Sequence, residues 1–265
     1  MKKLSTREIV STLGEMWENN NFDGYVSLFT KDALVSHPYF SQPVKVAVAM
    51  EVINAPVQGY TNIVGYEQVL GNGNGEDDIV RVKFQETGDQ IDEDVKYIGS
   101  MIVYVYIRDH VIYKIDTKGV EIELLQKSTE DINYRTIDYG DLTSKEVAEK
   151  LAETWECNNI NEFVSLFSDD AKIKHVVLDK EEAPQVIAEV MNCNAKGITR
   201  LSDYALLKGD GSGEDDVIEL TFDETGTEMG YKPSNIGKIM VSATVKKHRI
   251  SYLKIYGYKI SNSLR

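Results

Sequence analysis

Cysteine is nearly absent: Cys157 and Cys193 are the two in a chain of 265 residues. Two cysteines make neither a disulfide framework nor a thiolate zinc site, and they read as small hydrophobes. Clustered basic charge is also missing. The net charge is −14, and most of the excess acid lies before Leu142. A nucleic-acid partner needs grouped Lys and Arg to neutralise phosphates, so none is expected. The same acidity argues against adsorption to anionic membranes. No apolar run approaches the roughly 20 residues of a membrane span. The basic tip Lys2-Lys3 has no apolar run behind it, as a signal peptide would, so a cytoplasmic protein is expected. HExxH, P-loop, GxGxxG and nucleophile-elbow patterns are all lacking, and no cofactor or metal is expected.

What the chain has is a repeat. At the one fixed offset that carries Ser27-Leu28-Phe29 onto Ser165-Leu166-Phe167, the stretch from Glu8 to Gly119 matches its counterpart without a gap. Gly71-Asn72-Gly73-Asn74-Gly75-Glu76-Asp77-Asp78 falls on Gly209-Asp210-Gly211-Ser212-Gly213-Glu214-Asp215-Asp216, and Glu86-Thr87-Gly88 falls on Glu224-Thr225-Gly226. Trp17 pairs with Trp155, His37 with His175, and His110 with His248. Solenoid repeats are far shorter, so the period marks two tandem domains. The expected division is residues 1–120, a linker over 121–142, and a second copy over 143–260. At 42% hydrophobic residues, each copy has the means to bury its own core.

Each copy opens with a capping box, Ser5-x-x-Glu8 and Thr143-x-x-Glu146, ahead of apolar residues at helical spacing. A short second helix follows, then a strand of telling parity. In copy two Lys172 and Lys174 alternate with Ala171, Ile173 and His175. The lysines take the wet face, so His175 shares the buried one. Ala33, Val35 and His37 repeat the pattern. A third helix is expected around Val44–Asn54 and Ala183–Asn192, then four strands, in copy one Tyr60–Leu70, Ile79–Phe84, Ile98–Ile107 and Val111–Asp116. This order predicts an α+β fold: two cone-shaped domains, each with three helices on a curved, mostly antiparallel sheet. Met101–Ile107 is apolar on both faces, so its sheet should be covered twice. Ser242 and Thr244 replace Tyr104 and Tyr106 in copy two. Large facing small predicts an intramolecular pseudo-dimer, sheet against sheet, in a chain that can be monomeric overall.

The stretch from Trp17 through Phe22-Asp23-Gly24-Tyr25-Val26-Ser27-Leu28-Phe29 to Asp32-Ala33-Leu34-Val35-Ser36-His37-Pro38 resembles the opening of the ketosteroid isomerase-like and SnoaL-like families of the nuclear transport factor 2-like superfamily. In those families a short aromatic-rich helix leads into Asp-Ala-x-x-x-Asp-Pro, and the second Asp is the isomerase base. His37 stands in its place, followed by Pro38; His175 stands there in copy two, followed by Val176. The resemblance implies a curved sheet around a conical pocket. The isomerase oxyanion donors, a tyrosine and a protonated acid, map onto Leu13 and Leu151 and near Val103 and Val241, so neither has a counterpart.

Catalytic candidates are therefore His37 and His175, as general acid/base groups whose burial would keep them neutral; the alternative is an interior histidine satisfied by a polar neighbour. Trp17, Tyr25, Tyr66, Trp155, Phe163 and Tyr204 are candidates to line a pocket for a small apolar or aromatic ligand, or simply core. Glu51 and Glu189 could orient the histidines, or lie on an exposed helix face. The Gly-rich acidic loops alternate oxygen donors as calcium loops do but lack the full EF-hand spacing, so they read as flexible acidic hairpin tips. His110 and His248 read as solvated turn residues. Three functions stay open: a small-molecule-binding protein with an apolar pocket in each copy; an acid/base enzyme of isomerase, dehydratase or cyclase type; and a scaffold with filled pockets.

Overall fold

A computed structural model describes residues 3–19, 21–53, 59–88, 97–124, 137–157, 159–191, 198–225 and 235–262. Copy one runs α1 (Thr6–Glu18), α2 (Phe22–Ser27), β1 (Phe29–Ser36), β2 (Val44–Lys45), α3 (Val46–Ile53), β3 (Gly59–Leu70), β4 (Asp77–Gly88), β5 (Tyr97–Arg108) and β6 (Val111–Leu124). Copy two runs α4 (Ser144–Glu156), α5 (Ile160–Ser165), β7 (Phe167–His175), α6 (Pro184–Met191), β8 (Ile198–Lys208), β9 (Asp215–Thr225), β10 (Asn235–Lys246) and β11 (Arg249–Asn262). The architecture is α+β, in two tandem units. The first sheet has the order β2-β1-β6-β5-β4-β3, the second β7-β11-β10-β9-β8. All ladders are antiparallel except β1 with β6 and β7 with β11. Of the expected linker, residues 121–124 continue β6, and 125–136 lie outside the described residues.

The capping boxes form as expected. Ser5 and Thr143 accept from the amides of Glu8 and Glu146, whose carboxylates reach back to the cap amides. Each first helix then buries its apolar stripe, Ile9, Val10 and Leu13 in copy one, Val147, Ala148 and Leu151 in copy two. These meet the inner faces of the sheets, where Val80, Val82, Val103, Val105 and Ile107 build one core and Ile218, Leu220, Val241, Ala243 and Val245 the other. Cys157 is an exposed C-cap rather than a core hydrophobe; Cys193 lies outside the described residues.

Among the described residues, the ring and hydroxyl contacts of the outer faces lie within each sheet rather than across to the other, where the sequence suggested sheet against sheet. Tyr104 lies under Lys118 and Tyr106 under Lys114, partners from their own sheet. Ser242 Oγ sits 3.2 Å from the Tyr256 hydroxyl, again within one sheet. The two halves touch through helices and turns. α3 packs on β9 and β10, and α6 packs on β5. Val190 of α6 lies so close to Gly99 that a Cβ there would stand 2.7 Å from its side chain. Val120 and Ile122 pack against the second core, and Ile260 packs against the first.

Candidate functional site

β1 ends just before His37, which is half-buried in the turn that follows. Ala33 and Val35 are buried while Leu34 is exposed. In β7, Ala171, Ile173 and His175 are all buried, with His175 only 3% exposed. Each histidine then opens a tight turn. The Phe40 amide donates to the His37 carbonyl at 2.9 Å, and the Leu178 amide to the His175 carbonyl at 3.1 Å. Inside each turn a backbone N–H meets the ring. Tyr39 N donates to His37 Nδ1 at 3.2 Å, and Val177 N donates to His175 Nδ1 at 3.4 Å. An Nδ1 that accepts cannot carry the proton of a neutral imidazole. The proton is therefore on Nε2 in both rings, leaving one N–H donor at the far edge of each.

The two turns dock on the opposite copies. Gly257 of β11 approaches the Tyr39 backbone so closely that a Cβ would stand 2.8 Å from its carbonyl oxygen; Gly119 of β6 stands likewise to Val177, at 2.9 Å. Both glycines have positive φ, +110° and +140°, and sit where the ladder register slips. A side chain at either point would meet strain and backbone at once. The Val120 amide also donates to the Val177 carbonyl, at 3.3 Å.

This docking gathers both histidines around one ring. Tyr39 lies 4.8 Å from His37 and 5.6 Å from His175, centroid to centroid. The first pair is tilted by 32°, the second edge-on at 70°. Phe40 adds a contact at 6.1 Å from His37. Burial, joined for His37 by the charge of His175, pushes both imidazoles down to about 4. At neutral pH both rings are therefore uncharged.

The aromatic candidates fall elsewhere in the cones. Trp17, Tyr25 and Phe29 form a tilted ladder with centroids 5.6 and 5.2 Å apart; Trp155, Phe163 and Phe167 repeat it at 5.3 and 5.0 Å. Tyr25 and Phe163 are fully interior, while both tryptophans are half-buried. The Trp17 indole N–H is buried with no acceptor among the described residues. Tyr66 is on β3, four strands along the sheet from His37. It lies beneath Arg7, and its hydroxyl donates to Gln68 at 3.1 Å. Burial, then the nearby Asp78 carboxylate, raises its pKa; burial, then Asp216, does the same for Tyr204. Of the candidate orienting acids, Glu189 is not on an exposed face. It is 1% exposed and accepts the Tyr97 amide of the other copy at 2.7 Å. The Glu51 side chain lies outside the described residues.

Two features the sequence singled out belong to a clasp at each sheet's other end. Asp78 is buried, and its carboxylate accepts from the amides of Gly73 (2.8 Å) and Gly75 (2.6 Å), from Gln68 (2.9 Å) and from the Thr6 hydroxyl. Asp216 accepts from Asp210, Gly211, Gly213 and Ser144 in the same way. Burial alone would raise these carboxyls; the donors outweigh it and hold both below the usual range. The acidic loop is thus wrapped around its own aspartate, and these oxygens are spent on amides and hydroxyls. The loop also caps α1, since its Gly73 carbonyl accepts from the Thr6 amide at 3.0 Å. His110 and His248 close the clasp from the neighbouring hairpin, with Nδ1 at 2.9 Å from the Leu4 carbonyl and 3.0 Å from that of Leu142. They are half-buried brackets in left-handed turns, not solvated residues. Their partners are backbone carbonyls distant in sequence, which no local pattern announces.

Among the described residues no group of three or more His, Cys, Asp or Glu side chains is placed to hold a metal ion, and no helix is long and apolar enough to cross a membrane.

No protein-family model matches the chain, and no curated protein matches it. Solved structures similar to it include a protein assigned as a polyketide cyclase from Pseudomonas putida. That match has 14% identity and a TM-score of 0.31, and covers 43% of this chain and 91% of the other. A protein assigned as a ketosteroid isomerase from Kribbella flavida matches at 15% identity and TM-score 0.33, over 46% of this chain and 82% of the other. An NTF2-like protein of unknown function from Cytophaga hutchinsonii matches at 10% identity and TM-score 0.32, over 46% and 95%. Each match takes in less than half of this chain.

Proposed function

We propose that the chain is a small-molecule-binding protein, built as a pseudo-dimer of two copies, residues 1–120 and 143–260, whose ligand end is the seam between them. The observation that carries this reading is the histidine pair. Two neutral imidazoles, one from each copy, converge on Tyr39, each with Nδ1 engaged by a backbone amide and Nε2–H left as donor. Few, fixed polar groups in apolar surroundings suit a small apolar or aromatic ligand that carries a hydrogen-bond acceptor such as a carbonyl oxygen.

Acid/base catalysis by His37 and His175 is the second reading, favoured by their standing unprotonated at neutral pH. It ranks below binding because a base is most effective with a pKa near the working pH, and theirs lie near 4. The scaffold reading draws on the packed aromatic ladders. Titrating the intact chain with an environment-sensitive apolar fluorophore, and displacing it with aromatic ketones, separates the three. His37→Ala and His175→Ala are expected each to weaken ketone binding about tenfold, the worth of one buried hydrogen bond. Folded variants that bind as the parent does would sink the reading. Product formed by the parent and not by the variants would promote the enzyme.

A further inference from the structure

The outer faces of the two sheets differ by an inversion. In the first sheet, Arg81, Tyr104 and Asp116 pair in register across β4, β5 and β6. The equivalent row of the second sheet is Glu219, Ser242 and Lys254, across β9, β10 and β11. Cation stands for anion, large for small, anion for cation. The next row repeats the size inversion: Ile79, Tyr106 and Lys114 against Val217, Thr244 and Tyr252. These side chains point away from the cores, since their strand neighbours Val80, Val82, Val103 and Val105, and Ile218, Leu220, Val241 and Ala243, are the buried ones. Glu219 is exposed and the remaining members are half-buried.

We propose that the outer face of the first sheet binds the outer face of the second sheet on another copy of this chain, through the Arg81-Tyr104-Asp116 row and the Glu219-Ser242-Lys254 row. With the strands of the two sheets running in opposite directions, the facing rows set Arg81 opposite Glu219, Tyr104 opposite Ser242 and Asp116 opposite Lys254. Complementary charges fix register and exclude wrong pairings. The large Tyr104 against the small Ser242 lets two sheets close to ordinary packing distance. Among the described residues the halves of one chain meet through α3, α6 and the histidine turns, which leaves these faces for another copy. The contact joins two different surfaces, so it repeats head to tail rather than closing as a two-fold dimer.

Sedimentation velocity on the intact chain, from micromolar to near-millimolar concentration, tests this. The parent is expected to grow past the mass of two chains as concentration rises. Arg81→Glu and Glu219→Arg, each alone, should weaken association about tenfold or more. The two single variants mixed present opposite charges at both contacts and should recover the growth as alternating chains. Arg81→Glu with Glu219→Arg on one chain restores opposite charges and should recover the growth. Circular dichroism and thermal melts confirm that each variant is folded. A parent that stays monomeric throughout overturns the proposal. So does a discrete dimer indifferent to Glu219→Arg, since that is the signature of the first face pairing with itself.

Discussion

Acid should unfold this protein through its two interior histidines. An unfolded-chain imidazole titrates near 6.5, whereas His37 and His175 titrate near 4 in the fold. Between those values the unfolded state binds more protons, so stability falls as the pH drops through that window; it is fully present above 6.5. Each histidine then costs about 1.4 kcal/mol at pH 5.5 and roughly 3 kcal/mol at pH 4. Two together are comparable with the whole stability of a modest domain, which is about 5–15 kcal/mol. The other charges near these events act differently. Asp78 and Asp216, held below the ordinary carboxylate value, lose their contribution only at more acid pH. His248 is raised by its hydrogen bond to Leu142, so its protonation opposes the loss. Urea unfolding at pH 7.5, 6.5, 5.5 and 4.5, followed by tryptophan fluorescence, measures the slope. The decisive variant is His175→Asn. Its Oδ1 falls near the place of Nδ1 and can accept the Val177 amide, but the side chain does not titrate. The slope between pH 6.5 and 4.5 should fall to about half that of the parent. A parent whose stability is flat across this window, or a slope unchanged in both His175→Asn and His37→Asn, would refute the reasoning.

Asp78→Asn replaces a four-fold acceptor by an amide that must aim a donor at other donors. A loss of roughly 2–4 kcal/mol is expected in urea unfolding, and a loss under about 0.5 kcal/mol would show that the clasp is not anchored there. Gly73→Ala bears only its positive φ, +81°, at a cost of about 1–2 kcal/mol, because its nearest neighbour is at 3.4 Å. Gly75→Ala should cost more, since its Cβ would meet His110 and the Leu4 carbonyl at 2.6 Å; equal losses would contradict the bracket. Tyr39→Val gives copy one the residue that copy two has at Val177. The His175 resonance should then titrate closer to 6.5 by NMR, as the ring that helps bury it is removed, and an unmoved titration would mean that Tyr39 does not seal it.

The sequence carried the parts of the fold that depend on near neighbours. The capping boxes, the strand parity that turns His37 and His175 inward, and the order of elements all follow from spacing within one copy. What lay beyond reach was set by contacts distant in the chain. Glu189 read as a surface helix residue because nothing local shows that Tyr97 of the other copy brings its amide to it. The glycine loop read as a flexible tip because its acidic run hides one member, Asp78, that turns inward while Glu76 and Asp77 stay wet. The apolar character of Met101–Ile107 on both faces was legible, but not which surface answers it. Gly119 and Gly257 gave the one usable sign of the seam. They match across the repeat, and each stands inside a strand, where a glycine commonly marks a bulge or the close approach of another backbone.

The duplication explains why some positions were held and others released. The clasp is local to each copy, with Asp78 holding Thr6 and Gly75, and Gly75 holding His110. A change at Gly75, Asp78, Thr6 or His110 costs the copy that carries it, so both copies retain the set, with Ser144 as hydroxyl donor in place of Thr6. The seam is shared, and there the constraint is mutual fit rather than identity. Tyr39 lies against both histidines, while its counterpart in copy two is the smaller Val177. A dimer of identical single copies would place two of the same residue there. The outer faces follow the same logic. Separate identical copies present identical faces, so Arg81 could not be matched by Glu219. Fusing the copies into one chain removes that restriction, and the opposed rows on the two sheets are what selection for pairing between unlike faces would leave.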